Sequence, residues 1–502
     1  MTTLPNLDQM SHEQKNALIL ELFQTIVRLE ARIIELETKT AQLEAKLSLN
    51  SRNSSKPPSG DGYSKPAPKS QRIPGQRPTG GQKGHAGTTL RQSSTVDETV
   101  VHRAPDVCTA CQKALPAQEI ADTRQVFDIP PIKVRVTEHQ LMRAVCSCGQ
   151  IHLGVWPDGV KAPAQYGVHA KAMAVHLNQY HLVPMARTSA FMQDAFGLNM
   201  GQASIQRAAL ELAGRLGATV KAIGQAVQAS AVVHADETGI RLKCKLHWLH
   251  CAVTSSLTWL GWHSKRGTLA FEALGVLPSV QGVMVHDGLV GYRQFDCLHS
   301  LCNAHHIREL VFAHEQGEHI WDGWAKEMIE LLVKAKNEVA ALVSAAASPA
   351  LLGAAATSTS TSTVLQTMDQ DRQAWFLQQW ELLLVRAESF NPQIECEGRA
   401  KKGRPKQTKT ANLLKRLRDN RADVWRFMTH PGVPFTNNLA EQALRMAKVK
   451  QKISGCFRTS HGADTFCTIR SYLATMHKQK HCLYDCLVSA FAGNPTQPKF
   501  VA

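Results

Sequence analysis

Between positions 51 and 91 the chain is almost free of apolar residues and rich in Pro, Gly, Ser, Lys and Arg: SRNSSKPPSGDGYSKPAPKSQRIPGQRPTGGQKGHAG. Such a stretch cannot bury enough surface to fold by itself. It reads as a basic disordered linker over 51–91, able to settle on phosphates. A chain of 502 residues is also too long for one core and suits about three or four domains. The chain is therefore multidomain, and the two sides of the linker are different materials.

On the N-terminal side, residues 1–50, Leu22, Leu29, Leu36 and Leu43 recur every seven residues. Ile19, Ile26, Ile33 and Leu47 fill the alternate seam positions, with Thr40 as the polar exception. Branched residues at one seam position and Leu at the other favour a parallel two-stranded coiled coil, hence a homo-oligomer. The competing reading is an amphipathic helix packed on its own chain.

The formal net charge is +16, which favours a polyanionic partner, with nucleic acid ahead of an anionic membrane. No apolar run approaches membrane-spanning length, and Glu21 and Arg28 break any secretory signal core. The expected location is cytoplasmic and nucleoid-associated, with no membrane partner. In that compartment the 13 cysteines are buried thiols or metal ligands rather than a disulfide framework. Cys108 and Cys111 form one close pair and Cys146 and Cys148 another, separated by the strand-like VFDIPPIKVRVTEHQLMRAV. Four thiolates around a tetrahedral zinc ion would make residues 92–155 a zinc-ribbon-like module. His102, His139 or His152 can replace a weak ligand, and reduced structural cysteines are the alternative.

Residues 156–230 read as helical. Within ARTSAFMQDAFGLNMGQASIQRAALEL, two amphipathic stretches flank a turn at Phe196-Gly197-Leu198, with Ser204 and Gln206 near the start of the second. This suits either a helix-turn-helix reading DNA or an ordinary helical hairpin. After position 231 the pattern changes. The run AVVHADETGIRL predicts a strand ending at Asp236 and Glu237, followed by a β-meander over GIRLKCKLHWLHCAVT and LTWLGWHSKRG. A second apolar run, GVMVHDG, ends in Asp287. Residues 311–429 are mostly helical, with a low-complexity stretch, SAAASPALLGAAATSTSTSTV. They also hold a basic run whose Gly403-Arg404-Pro405 suits either a minor groove or a solvated loop.

In FTNNLAEQALRMAKVKQK, Asn437 and Asn438 are helix-capping residues, and Glu441, Arg445 and Lys448 share one helical face. Taken singly, each carboxylate has a bland explanation: a capping aspartate or ion pair at Asp236, a turn aspartate at Asp287, a capping box at Glu441. Together the three can converge on a pair of divalent ions. Magnesium prefers oxygen ligands and keeps positions open for water and phosphate. Two ions about 3.5–4 Å apart serve in-line displacement at phosphorus. Nearby Arg445 and Lys448 would hold the phosphodiester.

The heptad segment, NSSKPPSGD, GGQKGHAG, the paired cysteines, HADETGIRL, HDGLVGYRQF, CNAHHIREL and NNLAEQALR occur in an order that resembles the bacterial transposases of the insertion sequence 66 family. The resemblance covers nearly the whole chain. It implies a catalytic core of α/β ribonuclease-H-like fold over 231–310 plus 430–475, interrupted by a helical insertion at 311–429 and followed by a C-terminal tail at 476–502. It implies Asp236, Asp287 and Glu441 as the catalytic triad and ligands of magnesium or manganese. His305 and Arg308 would support phosphate or target DNA. They lie in the Cys-x-x-His-x-x-Arg segment that begins at Cys302, for which a structural role is the alternative. Cys108, Cys111, Cys146 and Cys148 would hold structural zinc.

The implied activity is cleavage at element ends and transfer of the 3′-hydroxyl into target DNA, without a covalent protein–DNA intermediate. The implied partners are terminal inverted repeats, target DNA and element-encoded accessory proteins. Two departures stand out: Thr436 replaces the family's common Asp before the paired asparagines, and Gln442 replaces a common Arg after the glutamate. The alternatives are a catalytically inactive DNA-binding or regulatory protein and a structure-specific nuclease of the same fold.

Overall fold

The computed structural model describes residues 10–54, 90–114, 117–129, 134–316, 323–346, 367–394 and 407–500. Most of the basic linker, most of the low-complexity stretch and Gly403-Arg404-Pro405 lie outside the described residues. The chain divides into two compact units. The smaller comprises 66–158 and 191–199, and the larger comprises 1–65, 159–190 and 200–502.

In chain order the helices are α1 (His12–Leu47), α2 (Val168–Val175), α3 (Met185–Phe196), α4 (Gln202–Gln228), α5 (Thr268–Leu274), α6 (Asn303–Gln316) and α7 (Trp324–Ala346). They continue as α8 (Gln370–Phe390), α9 (Lys409–Asp419), α10 (Arg421–Thr429), α11 (Asn438–Ser454), α12 (Ser460–Lys478) and α13 (Leu483–Phe491). The strands are β1 (Arg143–Val145), β2 (Ile151–Leu153), β3 (Val232–Leu242), β4 (Lys245–Val253), β5 (Thr258–His263), β6 (Val283–His286) and β7 (Leu298–Leu301).

In the larger unit, α1 opens with a capping box between Ser11 and Gln14 and runs for 36 residues without a break. Its seam is in solvent: Ile26, Leu29 and Ile33 are each more than half exposed. The unit is built on a five-stranded sheet of order β5-β4-β3-β6-β7. β3, β4 and β5 form the expected antiparallel meander, whereas β6 and β7 run parallel to β3. The β3–β4 turn is tight because Lys243 and Cys244 both adopt positive φ. β6 is buried along its whole length, as an inner parallel strand requires.

Helices cover both faces of the sheet. On one face Ile240, Leu249 and Cys251 pack against Leu444 and Ala447 of α11 and Phe466 of α12. On the other, Val233, Ala235 and Met284 pack against Ile223 and Val227 of α4 and Phe271 of α5. Val283, Val285 and Leu301 support the helices from α6 to α10, which close around Trp380 and Trp425, ring centroids 5.4 Å apart. Part of the basic run after position 399 is thus the packed helix α9, with Leu413, Leu414 and Leu417 buried. Residues 476–502 include α13, which shares a core with α2 and α4.

One expectation needs correction. The strand that begins at Val232 does not end at Asp236; it continues to Leu242. Asp236 and Glu237 still pair with Cys251 and His250 of β4, while the parallel pairing with β6 stops at His234. The carboxylates therefore lie mid-strand, where β3 keeps its antiparallel neighbour and has lost its parallel one.

In the smaller unit β1 and β2 form an antiparallel ribbon joined through the Cys146–Gly149 turn. Of the strand-like alternation before it, only the end becomes a strand among the described residues.

The approach of β6 to β3 sets a steric limit at Gly282. A Cβ there would lie 2.3 Å from the Ala231 carbonyl oxygen and 2.4 Å from that of Ser230. Gly282→Ala should lower unfolding stability by about 1–3 kcal/mol through forced backbone displacement. Urea denaturation checks this, and an unchanged midpoint would contradict the close approach.

Candidate active site

Asp236 projects from β3 on the α11 face of the sheet, and Glu237 from the opposite face. Asp287 follows the last residue of β6, where its Oδ1 accepts from the Leu289 N–H at 3.1 Å. That bond is the turn role the Asp-Gly pair suggested. It does not remove Asp287 from the cluster: oxygens of Asp236, Glu237 and Asp287 all lie within 4.8 Å of one another. Opposed side chains of one strand converge here because β6 has ended and both reach the vacated edge.

Glu441 arrives on α11, and Asn437 places it. This asparagine is the N-cap residue but makes no side-chain cap. Its Nδ2 instead donates to the Ala235 carbonyl at 2.8 Å, its Oδ1 meets His234 Nδ1 at 2.9 Å, and its N–H donates to Cys302 Sγ at 3.2 Å. Asn438 is the first helical residue, so a capping box between Asn438 and Glu441 does not form. Glu441 gathers with Cys302 and His305, their ligand atoms within 4.8 Å of one another. His305 stands near the start of α6, and its Nδ1 is buried without a hydrogen-bond partner among the described residues. Burial first and then the Arg308 charge lower its pKa, while Asp287 and Glu441 oppose them.

Charge dominates the electrostatics. Burial, then the charges of Glu237, Asp287 and Glu441, push the Asp236 carboxyl up to about 8. Burial also raises the Glu237 carboxyl, against hydrogen bonds from Tyr292 and Arg266. His234 is lowered to about 4 by burial, so it faces Asn437 as a neutral ring. A carboxyl whose pKa is raised by burial and by neighbouring carboxylates, as that of Asp236 is, suits a divalent cation, whose charge restores the ionised form. The oxygen donors fit a hard ion such as magnesium or manganese.

The expected supporting cations are disposed differently. Lys448 Nζ donates to the Gly239 carbonyl at 2.6 Å, fastening α11 to β3. Arg445 is exposed, and Arg308 is half-buried; neither makes an ion pair among the described residues. Sequence reasoning did not single out Arg266, which donates through Nε to Glu237 Oε1 at 2.8 Å and pairs with it through Nη2, or Tyr292, which donates to Glu237 Oε2. Glu237 itself was visible only as the neighbour of Asp236; strand alternation alone sends it away from the site.

In the smaller unit each cysteine pair sits on a knuckle-like turn. The Cys108 N–H bonds the Lys113 carbonyl at 2.8 Å, and the Cys146 N–H bonds the Gln150 carbonyl at 2.8 Å. Backbone and thiol hydrogen bonding to Cys111 lowers the Cys108 pKa, and the same interaction with Cys148 lowers that of Cys146. Both shifts run toward the thiolate, the form zinc binds. The two clusters beside the carboxylates are the metal-ligand groups of three or more among the described residues; the four cysteines are not drawn together into a third.

A family model described as the transposase IS66 family matches residues 163–465, which hold Asp236, Asp287 and Glu441. A model described as the zinc-finger binding domain of transposase IS66 matches residues 105–149, which hold all four paired cysteines. Residues 2–91 match a family of unknown function. No curated protein matches the chain. No helix among the described residues is long and apolar enough to cross a membrane.

The raised Asp236 pKa has a consequence for stability. Folded, metal-free protein keeps this proton up to about pH 8, whereas the unfolded chain releases it near the ordinary value of 3.8. The folded state therefore binds more protons between these values, and stability falls as pH rises through them, by at most about 1.4 kcal/mol per pH unit. Chelator-treated protein should lose thermal stability between about pH 5 and pH 8 more steeply than Asp236→Asn. Magnesium should remove the difference, and equal slopes without metal would rule out Asp236 as its source.

Proposed function

The chain belongs to the IS66 transposase family, and from that premise we propose that it cleaves DNA at the ends of its element and joins the released 3′-hydroxyl to target DNA. The observation that carries this reading is that Asp236, Asp287 and Glu441, from three separate elements, stand in two partly buried ligand groups near enough for the Asp287 and Glu441 charges both to act on Asp236. The sheet supports a ribonuclease-H-like core: a three-stranded meander continued by two parallel strands, with carboxylates on its first strand and after β6, and a third on a helix across its face.

Asp236, Asp287 and Glu441 would hold magnesium or manganese, which supplies positive charge for in-line displacement at phosphorus when bound. The protein's own contribution is placement. Asn437 fixes the glutamate helix against β3, the Asp287 turn orients its carboxylate, and the surrounding burial keeps bulk water from screening the site. His305 and Arg308 stand at the mouth of α6 and would meet phosphate or target DNA. Arg445 would do the same from the exposed face of α11. Cys108, Cys111, Cys146 and Cys148 would hold a structural zinc that orders the smaller unit for binding terminal repeats, assisted by the basic segment before it. The exposed seam of α1 would pair two protomers as a parallel coiled coil, so that two element ends enter one complex.

Two experiments test these assignments. With DNA carrying the element's own ends and magnesium, Asp236→Asn should lower cleavage by more than about a hundredfold and leave end binding largely unchanged. Full retained cleavage would sink the assignment, and cleavage without joined products would redirect it to a nuclease. Charging the seam with Leu29→Asp and Leu36→Asp together should convert dimers to monomers in sedimentation equilibrium. An unchanged mass would remove α1 as the dimerisation element.

A further inference from the structure

Arg266 lies in the segment between β5 and α5 and is held from two sides. Its Nε donates to Glu237 Oε1 at 2.8 Å, its Nη2 forms an ion pair with the same oxygen at 2.8 Å, and its guanidinium lies over the Trp248 ring, 4.8 Å from the centroid. The Glu237 side chain has no solvent exposure, and its other oxygen accepts from the Tyr292 hydroxyl. Tyr292 is itself immobilised, stacked on Phe271 at 4.9 Å. Both oxygens of Glu237 are therefore engaged by protein donors, although they lie within 4.8 Å of those of Asp236 and Asp287. Such a carboxylate is better suited to holding Arg266 than to coordinating an ion.

The Arg266 side chain nevertheless remains 45% exposed. A guanidinium has five N–H donors in a rigid plane. Glu237 engages one part of it and Trp248 lies against one face, so donors remain beyond those that Glu237 takes. Lys448, the nearest alternative on sequence grounds, is committed to the Gly239 carbonyl. A fixed, partly exposed cation bound to a member of the carboxylate group meets the requirement for stabilising a phosphate without reorganisation at the moment of reaction.

We propose that Arg266 contacts the non-bridging oxygens of the scissile phosphate, and that Glu237, Tyr292 and Trp248 are the positioning residues that aim it. This rests on the carboxylate site being the place where DNA is cut. Arg266 supplies hydrogen bonds and charge, and no covalent bond to it forms or breaks.

The test is a binding cycle on full-length protein, without divalent ion. The probes are two terminal-repeat duplexes, one natural and one with a single neutral methylphosphonate at the scissile position. Wild-type protein should bind the neutral duplex about tenfold more weakly, as loss of one charge-assisted contact predicts. Arg266→Ala should bind both duplexes equally, and its salt dependence should fall by about one phosphate contact. A purely structural Arg266 would weaken both duplexes by the same factor and keep the tenfold gap, which overturns the proposal.

If Arg266→Ala does not fold, judged by circular dichroism, Glu237→Gln serves in its place. It releases the guanidinium and should shrink the gap; a full tenfold gap with Arg266 unaimed overturns the proposal equally. Asp236→Asn separates the two layers of argument. If it still cleaves, the site reading fails. If it does not cleave while Arg266→Ala keeps the gap, only the role of Arg266 fails.

Discussion

The side chain of Asn437 is the interaction on which the site depends. It joins residues 202 positions apart in sequence, tying the start of α11 to the Ala235 carbonyl in the middle of β3. Its backbone N–H, through Cys302, ties the same point to the end of β7. The Asn303 N–H adds a bond to the Phe435 carbonyl at 3.1 Å, closing the same junction from the α6 side. Asn437 is 1% exposed, and Ala235, Cys302 and Asn303 are buried with it. A buried amide with both ends satisfied admits few other arrangements. Glu441, one helical turn further on, is brought to the carboxylates by this junction rather than by any bond of its own among the described residues.

Around that junction the fold holds charge in a place that disfavours it. Asp236 is raised to about 8 because burial and three neighbouring carboxylates all oppose its ionisation. An unaided scaffold would have no reason to keep such a group, since a buried charge without a partner is among the costlier features a protein can carry. The large apolar clusters on both sheet faces and in the α6–α10 region supply the compensating stability. Perturbed carboxylates at the break in a sheet's pairing are the signature of a site rather than of a core.

Much of this was legible in the amino-acid order. The seam of α1, the meander after Asp236, the Asp287 turn and the helix carrying Glu441 all follow from local periodicity or turn chemistry. The motif order pointed to the family. Other features were not legible. The strand through Asp236 continues because β4 goes on pairing after β6 stops, and no local pattern reports where a distant neighbour ends. Asn437 reads as a cap because asparagine before a helix usually is one; here a buried backbone carbonyl and a histidine compete for its side chain and win. Lys448 shares a helical face with Glu441, yet the carbonyl of Gly239 takes it.

By itself the sequence determined most of the helices and the antiparallel meander, which cysteines sit on common turns, and which three carboxylates belong together by resemblance. These are properties of short stretches, governed by spacing, φ preferences and hydrogen bonds between near neighbours. Only the tertiary structure decided that Glu237 joins the cluster from the opposite face of its strand, that Arg266 is pinned beside it, and that His305 gathers with Cys302 and Glu441. Those outcomes depend on register, on where one strand outlasts its neighbour, and on which donor reaches a buried acceptor first. They are set when distant segments meet, and no spacing within one segment encodes them.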